Sequence, residues 1–95
     1  MARFIIIHQM AENTNQDAVL VARKTLYAAI PKTAEWRNSW YVPKTNELFC
    51  EWEAPTQEVI RQALLQSGVL QFAPIKTIHE VVPVDTKDFP DERAT

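Results

Sequence analysis

The chain is short of most features that announce a reaction. It holds one cysteine and one glycine in 95 residues. A lone cysteine excludes an intramolecular disulfide and fits a reducing compartment, so a cytoplasmic location is expected. One glycine cannot furnish a glycine-rich phosphate loop. Positive charge is not in excess: the net charge is −2 and the pI about 5.6. Nucleic acid is therefore not an expected partner, because phosphate contact needs clustered Lys and Arg. No apolar run approaches the roughly 20 residues of a membrane helix, and the opening MARFIIIHQM lacks a small-residue cleavage site. Neither a membrane partner nor a signal peptide is expected. The chain has no repeats, no low-complexity segment, no catalytic triad and no paired acids at a known spacing.

What the chain does have is concentrated between Trp36 and Pro55, WRNSWYVPKTNELFCEWEAP, which contains all three tryptophans and the only cysteine. Strand alternation puts Trp36, Asn38, Trp40 and Val42 on one face and Arg37, Ser39 and Tyr41 on the other. On the returning run Leu48, Cys50 and Trp52 share a face, and Glu47, Phe49, Glu51 and Glu53 the opposite one. Pro43-Lys44-Thr45-Asn46 makes the break: proline suits an early turn position and asparagine tolerates a left-handed one.

Around this hairpin the elements fall in a simple order. Phe4 to Met10 is a strand apolar on both faces. Thr14 or Asn15 can cap a helix from about Gln16 to Ile30, whose apolar positions Val19, Ala22, Leu26, Ala29 and Ile30 recur at helical spacing with Arg23 and Lys24 turned away. Pro31 stops it. A second helix starts near Pro55, with Ala54 or Thr56 as its cap, carries Val59, Ile60, Ala63 and Leu64, and ends at Gly68. Ile75 to Val84 is the last strand. The order βαββαβ predicts an α+β, ferredoxin-like domain over residues 1–84: a four-stranded antiparallel sheet with both helices on one face and the first strand beside the last. Residues 85–95 are expected to form a charged tail.

Two helices cover one face of such a sheet, yet the first, second and last strands carry large apolar residues on both. An open apolar face of that size is rare on a soluble monomer. A homodimer with sheets packed face to face is the expected solution, leaving a pocket between sheet and helices or between the sheets.

Four segments together resemble a known family. Phe4-x-x-x-His8, Ser39-Trp40-Tyr41-Val42, Phe49-Cys50-x-x-Glu53-Ala54-Pro55 and Ile78-x-Glu80-Val81 are similar to the small nickel-binding, ferredoxin-like domains of largely unknown function, over roughly residues 3 to 84. The resemblance implies a dimeric α+β barrel and nickel or a similar metal as ligand. The chain departs from that pattern where members carry histidines: it has Leu64 and Gly68 in and after the second helix and Asn38 in the second strand. His8 remains, and His79 stands at a usually aliphatic position.

The candidate residues follow. His8 and His79, on strands expected to be neighbours, could start a nickel or zinc site completed by Cys50, Glu51 or Glu53, or by a partner subunit. The alternative is that each histidine is bonded to local groups and that Cys50 is a small core residue. Trp36, Trp40 and Trp52, with Asn38 and Tyr41, could line a ligand pocket or serve as packing. The expected function is a homodimeric protein binding a transition metal or small ligand. The alternative is an enzyme of the dimeric barrel type, such as a cofactor-independent monooxygenase or isomerase, using His8, His79 or Tyr41.

Overall fold

Ala2–Gln9 is the first strand, β1, and its burial alternates: Phe4, Ile6 and His8 are buried, while Arg3, Ile5 and Ile7 are half-covered. The computed structural model describes residues 1–12 and 15–88 of the chain. The remaining elements are α1 (Gln16–Ala29), β2 (Glu35–Val42), β3 (Glu47–Ala54), α2 (Gln57–Ser67) and β4 (Ile75–Val81), with short 3-10 turns at Val69–Gln71 and Thr86–Asp88. The sheet runs β2-β3-β1-β4, antiparallel throughout, so the first strand lies beside the last as expected.

Local chemistry fixes the element ends. The Asn15 side-chain oxygen accepts from the backbone N–H groups of Asp17 and Ala18 at 2.9 and 3.1 Å, capping α1. Thr14, the other candidate cap, lies outside the described residues. Thr56 is the cap residue of α2, which leaves Pro55 one step outside the helix rather than in its first turn. Gly68 closes α2 with φ 76°, the left-handed conformation glycine reaches without penalty. Asn46 takes the equivalent role in the hairpin turn at φ 56°.

The core lies between the sheet and the two helices. Phe4, Ile6, Cys50, Trp52 and Ala54 from the sheet meet Leu26, Ile60, Ala63 and Leu64. Four of these, Trp52, Ile6, Ile60 and Leu64, are almost wholly enclosed, each contributing about 1.5–3 kcal/mol by burial.

Two irregularities reset the expected faces. The β2–β3 register shifts between Trp36 and Asn38, so Trp36 stands opposite Trp52 and Ser39 opposite Cys50, while Trp40 stands opposite Phe49. One extra residue in a strand reverses the facing of everything beyond it. Trp36 therefore shares the helix-side face with Ser39 and Tyr41, and Asn38, Trp40 and Val42 turn to the open face. The β1–β4 register shifts between Ile7 and His8, which pairs His8 with Ile75 and Ile5 with His79. The open face is thus organised in rows: Val81, Arg3, Glu53 and Glu35; then His79, Ile5, Glu51 and Asn38; then Thr77, Ile7, Phe49 and Trp40. Among the described residues no helix is long and apolar enough to cross a membrane.

Candidate functional site

A cleft of about 400 Å3 opens between the helix-side face of the sheet, α1 and the turn after α2. This lies in the range of small-molecule sites. Its apolar wall includes Met10, Val19, Leu26, Leu48, Val69 and Phe72; Tyr27, Trp36, Arg23, Arg37, Asn38 and Ser39 complete it. Three aromatic rings lead from the interior to the mouth. Trp36 stacks on Trp52 with centroids 5.8 Å apart and planes 9° from parallel, and Tyr27 lies 5.3 Å from Trp36 at 30°. Trp52 is 1% exposed and Tyr27 54%, so the series spans the whole depth of the site.

A hydrogen-bonded chain fixes the orientation of Trp36. Its indole N–H donates to the Ser39 hydroxyl at 2.9 Å, and that hydroxyl donates to the Cys50 sulfur at 3.2 Å. The β2 bulge makes this possible by turning Ser39 to the same side as Trp36. Burial pushes the Cys50 thiol up, with the bonds from Ser39 and Trp36 opposing the shift. A buried thiol in that state is a packing group rather than a nucleophile.

Behind the cleft is a small inner chamber of about 40 Å3, walled by His8, Cys50, Trp52 and Leu64 and sharing Leu26, Trp36, Leu48, Val69 and Ala73 with the cleft. His8 is 3% exposed, and its Nδ1 lies 2.7 Å from the Ala73 carbonyl oxygen. A carbonyl only accepts, so Nδ1 carries the proton and Nε2 keeps its lone pair. Burial lowers the His8 pKa, and the bond to Ala73 only partly offsets it. The sign follows: below about pH 6.5 the unfolded chain takes up a proton at this site that the folded chain does not. Stability is expected to fall as the pH drops from about 6.5 towards 5, by at most about 1.4 kcal/mol per pH unit. Urea midpoints across that interval should show the slope, and His8→Asn should flatten it. An equal slope in the variant would assign the effect elsewhere.

The open face carries the charges. Arg3 bonds Glu53 and lies 3.4 Å from Glu51; Arg37 lies 3.4 Å from both Glu35 and Glu53; Asn38 donates to Glu51 at 2.8 Å. The contact with Arg3 leads the causes that hold the Glu53 carboxyl below its usual range, and a 2.8 Å contact with Lys76 does the same for Glu47.

The structure redistributes the residues expected to act together. His8 and His79 do not meet: His8 faces the helices opposite Ile75, and His79 lies on the open face opposite Ile5. His8 and Cys50 do share the inner chamber, but among the described residues no three His, Cys, Asp or Glu side chains converge. With the thiol pushed towards its protonated form and one imidazole nitrogen bonded to Ala73, this pair does not fit a metal within one chain. Trp36 lines the cleft and Trp52 backs it, while Asn38 only borders it from the edge strand, its amide turned to Glu51 on the open face. Trp40 is on the opposite face, and Tyr41 is spent on the hairpin turn, donating to Asn46 at 2.6 Å. His8, His79 and Tyr41 thus belong to three separate places and form no joint acid–base set. The residues missed by the sequence reading are Arg23 and Tyr27 of α1 and Phe72 at the end of the turn after α2. The signal was present: Val19, Arg23 and Tyr27 recur every four residues, a stripe running beside Leu26.

This order of elements and strands defines the class, a ferredoxin-like α+β domain of the kind from which dimeric α+β barrels are built. Solved structures share it. SCO4226 from Streptomyces coelicolor A3(2) superposes with a TM-score of 0.66 at 20% identity, covering 88% of this chain and 100% of that one. A putative antibiotic biosynthesis monooxygenase from Chloroflexus aurantiacus J-10-fl gives 0.54 at 14%, covering 90% and 95%. An uncharacterised NIPSNAP domain protein from Burkholderia xenovorans gives 0.50 at 13%, covering 96% and 100%. A comparison with curated proteins finds no match. The model of the nickel-responsive SCO4226-like proteins matches residues 4–81, and the chain belongs to that family.

Proposed function

We propose that this chain is a small homodimeric binding protein whose ligand is a small organic molecule held in the cleft between sheet and α1. The observation that carries the reading is the cleft itself: about 400 Å3, walled mainly by apolar and aromatic side chains, with an indole oriented by a hydrogen-bonded chain at its back. Such a wall supplies burial and shape rather than acid–base chemistry. Dimerisation is supported by the row of Ile7, Phe49 and Trp40 on the open face, where Trp40 is 53% exposed.

The test is titration with the neutral fluorophore N-phenyl-1-naphthylamine. One saturable site per chain is expected, lost in Val19→Trp, which fills the cleft while leaving the sheet untouched. Undiminished binding in that variant would move the site elsewhere.

The family's nickel connection supports a second reading, and His79 is the observation in its favour. This histidine is exposed on the open face, in one row with Ile5, Glu51 and Asn38. A second copy facing it could complete a site. Stoichiometric nickel lost in His79→Ala would establish that site.

A further inference from the structure

The cleft has a charge pattern that its apolar wall does not require. Two of its lining residues are charged, and both are arginines, in a chain of net charge −2. Among the described residues no carboxylate lines it. The two arginines differ in how far they are engaged. Arg37 is drawn to Glu35 and Glu53 at 3.4 Å each. Arg23 has no carboxylate within ion-pair distance among the described residues; its guanidinium lies 5.9 Å from the Tyr27 ring centroid, the outermost aromatic of the site.

We infer that the ligand is an aromatic carboxylic acid, its ring system lodged among Leu26, Leu48, Val69, Phe72 and Trp36 and its carboxylate held at the mouth by Arg23. This inference rests on the reading of the cleft as a small-molecule site and adds the class of molecule. The chemistry is complementary at each end. The planar guanidinium presents paired donors that match a carboxylate, and its seat over Tyr27 limits the freedom lost on binding. The apolar wall accepts a ring but offers nothing to a second charge. A neutral ligand would gain nothing from the exposed Arg23, and a cationic one would be repelled by both arginines.

The experiment compares 2-naphthoate with 2-naphthamide, which share one ring system and differ in charge, by isothermal titration against the whole chain. The acid should bind about tenfold more tightly than the amide. Arg23→Gln should erase that preference by weakening the acid more than the amide, and Arg23→Lys should restore part of it. Arg37→Gln should leave most of the preference in place. Equal binding of acid and amide by the unaltered chain, or a preference surviving Arg23→Gln, would overturn the inference while leaving a small-molecule cleft standing. Failure of both compounds, together with failure of the neutral fluorophore, would instead overturn the cleft as a site.

Discussion

Phe49→Lys should break the proposed homodimer into monomers. Phe49 sits in the middle of the open face, paired with Ile7 on one side and Trp40 on the other. Rows holding Arg3, Glu51 and Glu53 border it at one end, and the Glu47–Lys76 pair borders it at the other. An apolar centre with a charged border is the anatomy of a protein interface, with the energy concentrated in the centre. Placing an ammonium there should cost about 2–4 kcal/mol of association, roughly thirtyfold to a thousandfold in dissociation constant. In sedimentation velocity the unaltered chain should show twice the 10.9 kDa of one subunit and the variant only one. Because Phe49 faces away from the helices, the variant should keep its fold. A monomeric unaltered chain would remove the dimer from the account.

The second large effect is expected at Trp52. This side chain is 1% exposed, pairs with Phe4 across β1 and β3, and stacks on Trp36. Trp52→Ala should lower stability by about 3–5 kcal/mol, a large share of the 5–15 kcal/mol typical of a whole domain. The loss has two sources: apolar area returned to water, and a void joined to the existing chamber of about 40 Å3. Trp52→Phe should be far milder, at about 1–2 kcal/mol. It keeps a stacking ring and removes an indole N–H that is buried with no hydrogen-bond partner among the described residues. Urea unfolding at one fixed protein concentration checks both, since the proposed dimer would make midpoints depend on concentration. Equal losses for the two variants would mean that the N–H has a partner and that packing is not the main term.

The sequence carried the architecture in local signals. Asn15, Pro31, Asn46 and Gly68 each mark an element end by a backbone preference that acts within a few residues, and each stands where such a preference is used. The core was legible for a similar reason, because Ile60, Ala63 and Leu64 share one helical stripe and Phe4 and Ile6 one strand face. The site was less legible because it depends on two register shifts. Strict alternation puts Trp36 with Asn38 and Trp40; the shift beside Arg37 breaks that set and gives Ser39 to Trp36 and Cys50 instead. Neither shift is marked by a glycine, the residue that most often signals one. The separation of His8 from His79 comes instead from the register as a whole: His79 pairs with Ile5, three residues from His8 and on the opposite face, and that register is set by turns and long-range packing rather than by the strand's own residues. Arg23 is exposed, as its helical position implies, but periodicity says only which face is apolar and not that a cleft opens at its edge.

The three tryptophans allow the central claim, that the ligand enters the helix-side cleft, to be tested in one spectrum. Each gives one indole N–H resonance, assignable through single Trp→Phe variants. Addition of 2-naphthoate should shift Trp36 and Trp52, which line and back the cleft, and leave Trp40 on the opposite face unmoved. A shift of Trp40 alone would place the ligand on the open face and contradict the account.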